Sequence, residues 1–213
     1  MNDIKLVCFD MDDTLINQNS WYKLNLALGV TPEEDKEMYE AYGSGSLSYS
    51  DWTESLISLY KQRGLATKTN ITQALISYVF KEGAIELVNY LHHKGYEVVI
   101  ISGSFDLLVS HVANALGVVH YKANTEFVLN SDDYLETLRS EGDEVHAKLR
   151  HLKGFCKELG IPLDQCACIG DGANDIELFK YSRKGITFKD APDPVKATAW
   201  KVVDTLSDIK QLL

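Results

Sequence analysis

Leu6-Val7-Cys8-Phe9-Asp10-Met11-Asp12-Asp13-Thr14-Leu15 is the stretch whose reading decides the fold. Four apolar residues run into three carboxylates and a hydroxyl within five positions. A continuous apolar run reads as a strand buried on both faces, as in a parallel sheet. Carboxylates crowded at its end raise one another's pKa, and a hard divalent cation relieves that crowding. Mg²⁺ takes one or two carboxylates together with waters and phosphate oxygens. The same spacing also suits an Asp-rich turn that caps a helix. Taken alone, the stretch leaves both readings open.

Outward from it, the strand is expected over residues 4–9. Residues 17–80 then carry helical period and capping signals. Thr31-Pro32-Glu33-Glu34 is a capping box with Pro at the first helical position. Gly43-Ser44-Gly45-Ser46 breaks the pattern. Ser50-Asp51-Trp52-Thr53-Glu54 opens a helix that Gly64 ends, and a further helix is expected over 71–80. From Gly83 the pattern alternates between helix and strand. Apolar strands are expected at 97–101, 118–121, 166–169, 185–188 and around Val202-Val203. A hairpin is expected from 126–129 and 134–138, a helix over 146–159, and a last helix from about Leu206. The fold class is therefore α/β: a three-layer, Rossmann-like parallel sheet core over 1–16 and 81–213, with a small helical insertion over 17–80.

The chain has 213 residues, enough for one such core and a modest insertion. Its formal net charge of -10 disfavours nucleic acid or an anionic membrane as partner. No apolar stretch long enough for a signal peptide or membrane span precedes Asp10, so a cytoplasmic location is expected. Cys8, Cys156, Cys166 and Cys168 read as buried reduced thiols, with a metal or redox role as the alternative. The six histidines lack zinc-site spacing.

The polar groups share one position. Asp10 and Asp12, Ser102, and Asp171 each follow directly on an apolar strand. In open parallel sheets, ligands bind beyond the carboxyl ends of the strands, so one fold gathers all of them at one edge.

Four motifs in order carry a resemblance: Phe9-Asp10-Met11-Asp12-Asp13-Thr14-Leu15, Ile101-Ser102-Gly103-Ser104-Phe105-Asp106, His146-Ala147-Lys148, and Ile169-Gly170-Asp171-Gly172-Ala173-Asn174-Asp175-Ile176. The chain resembles the haloacid dehalogenase superfamily of phosphohydrolases, in its phosphoserine phosphatase-like branch with a small helical (C1-type) cap. The resemblance runs from Ile4 to about Phe188. It implies a Mg²⁺-dependent hydrolase of a small phosphate monoester. Asp10 is then the nucleophile that forms an aspartyl-phosphate. Asp12 protonates the leaving alkoxide and later activates water, and its backbone carbonyl binds Mg²⁺. Halide departure needs no proton, so Asp12 favours ester hydrolysis over carbon–halogen cleavage. Ser102 and the Gly103 amide hold phosphate oxygens, and Lys148 neutralises phosphate charge, with Lys153 and Lys157 as neighbouring alternatives. Asp10 and Asp171 are metal ligands, Asp175 orders the metal's waters, and Asn174 positions Lys148 or the phosphate. Asp175 also suits the first turn of a helix on dipole grounds alone. Asp13 is read as a turn residue, with water binding near the metal as the alternative. A phosphotransferase using the same intermediate, or a catalytically silent phosphate-binding module, are the alternatives.

The insertion departs from that branch. Where phosphoserine phosphatases carry a Glu for the substrate's amino group and an Arg for its carboxylate, this chain has Asn19 and Leu56. Lys61 or Arg63 are the available cations nearby. Trp21, Tyr22, Tyr49, Trp52 and Tyr60 supply aromatic surface, at least half of it expected inside the cap. Tyr49 and Trp52 join Asn19 and Leu56 as candidate specificity residues. Oligomeric state is left open.

Overall fold

The computed structural model describes residues 3–213. The first strand, β1 (Leu6–Phe9), is buried at every position, as its unbroken apolar run requires. Four helices follow: α1 (Ser20–Ala27), α2 (Pro32–Gly43), α3 (Tyr49–Arg63) and α4 (Lys68–Ile76). Then come α5 (Ala84–His93), β2 (Glu97–Phe105), α6 (Asp106–Leu116), β3 (His120–Leu129) and β4 (Leu135–Ser140). The chain finishes with α7 (Glu144–Leu159), β5 (Cys166–Ile169), α8 (Ile176–Ser182), β6 (Gly185–Phe188), α9 (Asp193–Thr198) and β7 (Lys201–Val203).

The strands form one seven-stranded sheet in the order β4-β3-β2-β1-β5-β6-β7. All pairings are parallel except β3 with β4, which forms the expected hairpin. Strand order reverses beside β1, because the chain first builds outward through β2 and β3 and then returns to β5 on the other side. Phe9 pairs with Ile100 on one side and Ile169 on the other. Asp10, Ser102 and Asp171 therefore lie close together at one edge of the sheet, at the switch point where a crevice opens.

Alternate residues of the central strands face opposite layers. Val7, Phe9, Val98 and Ile100 pack towards Leu87, Leu91, Leu108 and Val112 of α5 and α6. Leu6, Cys8, Val99 and Cys168 pack towards Leu152 and Phe155 of α7 and Leu178 of α8. The three-layer α/β architecture is as expected. All four cysteines are buried and free.

Several boundaries differ from the sequence reading. The expected strand over 97–101 continues through Ser102 and Ser104 to Phe105, with a pairing irregularity between Ser102 and Phe105; such irregularities re-aim side chains beside active sites. The separate strand at 118–121 and the first hairpin arm are one continuous β3, because parallel pairing to β2 passes directly into antiparallel pairing with β4. The N-cap of α3 is Ser48, which accepts from Asp51 N, rather than Ser50. The expected 71–80 helix stops at Ile76, since the chain returns beside its own departure point. There Asn17 N donates to Val79 O at 2.9 Å and Lys81 N to Leu15 O at 2.8 Å. The C-terminal helix is a 3₁₀ helix over Leu206–Gln211. The capping box at Thr31 and Glu34 forms as read.

The β3–β4 hairpin reaches the helical insertion. Leu135 N donates to Ala66 O and Lys68 N to Asp133 O, both at 2.8 Å. The Tyr49 hydroxyl on α3 bonds the Thr125 hydroxyl and accepts from Asn124 Nδ2, each at 3.1 Å.

Candidate active site

Asp10 opens the crevice at the end of β1, and only 6% of its surface is exposed. The chain then turns sharply: the Met11 carbonyl accepts from the N–H groups of Thr14, Leu15 and Ile16. Asp13 sits in this turn with φ of 50°, a left-handed conformation that Asp tolerates. Its carbonyl accepts from Lys81 Nζ at 2.6 Å. That geometry matches the turn role read for Asp13.

Lys148 comes from α7. It lies four residues before Leu152, so it shares the helix face that packs on the sheet. Its Nζ is 2.8 Å from Asp10 Oδ1 and 2.7 Å from Asp175 Oδ1. Lys148 and Asp175 are each 1% exposed. Burial disfavours the lysine's charge, but Asp10 and Asp175 outweigh it and hold the ammonium above its ordinary pKa. Lys153 and Lys157 are exposed, and Lys153 stands over the Tyr181 ring.

Asp171 and Asp175 follow β5. Thr14 Oγ1 donates to Asp171 Oδ1 at 2.9 Å, and Gly172 N donates to Asp175 Oδ2 at 3.2 Å. A Cβ on Gly170 would lie 2.2 Å from Asp175 Oδ2, so glycine is what lets this carboxylate fold back to Lys148. Carboxylate oxygens of Asp10, Asp171 and Asp175 all lie within 4.8 Å of one another. Burial first, then repulsion from Asp10 and Asp175, pushes Asp171 up to about 7. Burial likewise pushes Asp175 up to about 6, against the pull of Lys148. One ammonium thus leaves this cluster short of positive charge. Three hard oxygen donors in that state fit a divalent cation of the Mg²⁺ type.

Asp12 faces the insertion. Ser20 donates to its Oδ2 through both N–H, at 2.9 Å, and hydroxyl. The Ser20 hydroxyl in turn accepts from Ser104 Oγ at 2.5 Å. Asp12 Oδ1 is buried and has no partner among the described residues. Burial pushes Asp12 up to about 8, although the Ser20 bonds act the other way. The raised value favours the protonated carboxyl. With Oδ2 accepting two bonds, the proton belongs on Oδ1.

Ser102 and Gly103 lie on the extended end of β2, beside Asp10 in the same cavity of about 570 Å³. Trp21 Nε1 of α1 donates to Gly103 O at 3.4 Å. A Cβ on Gly103 would lie 2.4 Å from Glu144 Oε2, so the Glu144 carboxylate rests directly on this glycine. Asn174 Nδ2 donates to Glu144 Oε2 at 3.0 Å, and so holds Glu144 rather than Lys148. Burial pushes Glu144 up to about 7.

Of the specificity candidates, Asn19 and Trp52 line the cavity. Asn19 also caps α1, accepting from Tyr22 N. Leu56 is fully buried among apolar residues of the insertion and does not line the cavity, which corrects its reading as a specificity residue. Tyr49 is likewise corrected: buried against β3, it borders an adjoining cleft with Ser48 and Asp143. Arg63 pairs with Glu34 at 2.8 Å, and neither it nor Lys61 reaches the cavity. Four of the five aromatics named from sequence, all but Tyr22, are buried.

The sequence reading missed Ser20, Ser104, Asp35 and Glu144. Two had signals. Ser104 alternates with Ser102 along one strand, and Glu144 stands four residues before Lys148 on one helix face. Ser20 and Asp35 arrive only through packing of the insertion.

The family model for haloacid dehalogenase-like hydrolases matches residues 4–182. The phosphoserine phosphatase of Methanocaldococcus jannaschii is 30% identical over 86% of this chain and 85% of its own length. That of Streptococcus thermophilus is 30% identical over 98% of this chain and 99% of its own. A solved phospho-aspartyl intermediate analogue of phosphoserine phosphatase superposes with a TM-score of 0.83 at 28% identity, over 99% of both chains. A substrate-bound phosphoserine phosphatase complex gives 0.83 at 27% identity, over 99% of this chain and 98% of that one. With four motifs converging at one sheet edge and relatives matched along nearly their whole length, the chain belongs to the haloacid dehalogenase-like hydrolases, in their phosphoserine phosphatase-like branch.

Proposed function

We propose that this chain hydrolyses a small phosphate monoester through a phosphorylated Asp10. The observation that carries the proposal is the cluster of Asp10, Asp171 and Asp175, with the Lys148 ammonium held by Asp10 and Asp175 and the unpartnered Asp12 oxygen in the same cavity. Residues 17–80 act as the cap over this cavity, and the four free, buried cysteines fit a reducing, cytoplasmic setting.

In the first half-reaction an Asp10 carboxylate oxygen attacks phosphorus, and the bond to the leaving oxygen breaks. Asp12 gives its Oδ1 proton to that oxygen, so an alcohol departs rather than an alkoxide. In the second, the deprotonated Asp12 takes a proton from water, the water oxygen attacks phosphorus, and the acyl-phosphate P–O bond breaks to regenerate Asp10. Ser102 and the Gly103 N–H hold the non-bridging oxygens, and the Lys148 ammonium beside Asp10 offsets their charge, while Asn174 keeps its bond to Glu144. Carboxylates of Asp10 and Asp171 and the Asp12 carbonyl would hold Mg²⁺, with Asp175 acting through water. When bound, the ion offsets charge on the equatorial oxygens during transfer.

Phosphate release from a panel of phosphorylated metabolites, with Mg²⁺ and with EDTA, tests the reading. Release is expected to need Mg²⁺ and to vanish in Asp10→Asn. Wild-type turnover by Asp10→Asn would refute it. Phosphoserine, the substrate named for the relatives, belongs in that panel.

A further inference from the structure

Among the described residues that line the cavity there is no Lys, Arg or His. Lys148 lies behind the carboxylates, tied to Asp10 and Asp175. Arg63 is spent on Glu34. A carboxylate on the leaving group would therefore meet no cation. Apart from the carboxyl groups of the phosphate site and Asp13 in the turn beside it, it would meet those of Asp35 and Glu144.

Both are built into place. Asp35, on α2, is half-buried, and its Oδ1 accepts from Asn25 Nδ2 at 2.5 Å. Asn25 is fully buried, and its Oδ1 accepts from the buried Tyr60 hydroxyl. Asp35 is thus anchored from the interior of the insertion, and no basic side chain pairs with it among the described residues. Glu144, on α7 of the core, is fixed by Asn174, and no basic side chain pairs with it among the described residues. Between them the lining is aromatic. Tyr22 and Tyr39 are 42% and 60% exposed, and Tyr42 lies near-parallel to Trp52 with centroids 5.4 Å apart. Carboxylates replace the hydration lost by a buried ammonium, and aromatic faces attract it further.

We propose that the cavity selects a leaving group that carries a protonated amine and no carboxylate, so that the substrate is an amino-alcohol phosphate bound between Asp35 and Glu144 against the cap's aromatic rings. The proposal rests on the phosphomonoester hydrolase reading and names its substrate class. It assigns amine recognition to Asp35 and Glu144, which come from α2 of the insertion and α7 of the core, while Asn19 serves as a helix cap.

The test compares kcat/KM with Mg²⁺ for 2-aminoethyl phosphate, propyl phosphate, phosphoserine and p-nitrophenyl phosphate. Propyl phosphate replaces the ammonium by a methyl group at constant length. The amine should exceed propyl phosphate by about tenfold, mainly through KM, and should exceed phosphoserine. Asp35→Asn and Glu144→Gln should each bring the amine-to-propyl ratio close to one. Turnover of p-nitrophenyl phosphate with an amine-to-propyl ratio near one in the wild type would overturn the amine proposal alone. So would phosphoserine outrunning 2-aminoethyl phosphate, or a ratio that both variants preserve. No Mg²⁺-dependent release from any of the four esters would overturn the hydrolase reading, and this proposal with it.

Discussion

Lys148 is the residue on which the site's electrostatics turn. Its ammonium is buried between Asp10 and Asp175, and taking it away leaves two carboxylates facing each other without compensation. Losing one partner of a buried ion pair costs about 3–5 kcal/mol. Lys148→Met should therefore lower the unfolding free energy by roughly that amount in EDTA, read by urea titration. Asp12→Asn keeps the shape but removes the proton that the leaving oxygen needs. Its kcat on an alkyl phosphate should fall by about 10²–10⁴, the usual contribution of a general acid. Gly170→Ala tests geometry rather than charge. Its methyl would displace the Asp175 carboxylate from Lys148, so Mg²⁺ affinity, measured calorimetrically, should drop together with activity.

At the scale of elements, aromatic packing beside the cavity ties the insertion to the core sheet. Trp52 of α3 packs its ring against Trp21 of α1, with centroids 4.6 Å apart, and Trp21 packs against Phe105 of β2 at 4.4 Å. Aromatic contact thus runs without a break from core sheet to helical insertion. Trp52→Ala should destabilise the protein by about 3–5 kcal/mol in urea unfolding, as for other large core aromatics. Tyr49→Phe removes only the hydroxyl that meets Thr125 and Asn124. Its expected cost is about 1 kcal/mol.

For the whole molecule, the consequence is a link between pH, stability and metal. Burial raises Asp12, Asp171 and Asp175 from an ordinary 3.8 to about 8, 7 and 6. Raised values mean that the folded state holds these protons more tightly than the unfolded chain. Their contribution to stability is fully present below about pH 4 and is lost as pH rises through 6 to 8. Mg²⁺ needs the carboxylates deprotonated. The rise in Tm on adding Mg²⁺ to metal-free protein should therefore be larger at pH 8 than at pH 5 in a thermal scan. An equal rise at both would show that these carboxyls do not form the binding site.

The sequence by itself determined the α/β class, the strand-ending positions of Asp10 and Asp171, and the helices of the insertion. Each depends on local pattern: an unbroken apolar run makes a doubly buried strand, and a capping box starts a helix wherever it stands. Lys148 was legible only through the resemblance, because a single lysine on a helix looks the same whether solvated or buried. Only the tertiary structure decided what surrounds the phosphate site. Leu56 and Tyr49 turned inward because apolar and aromatic side chains of the insertion pack on each other and on the hairpin. Asp35 and Glu144 reached the cavity, and Ser20 the Asp12 carboxylate, from three separate elements. Their meeting depends on how α1, α2 and α7 pack around the sheet edge, and contacts between residues distant along the chain leave no periodic trace in it.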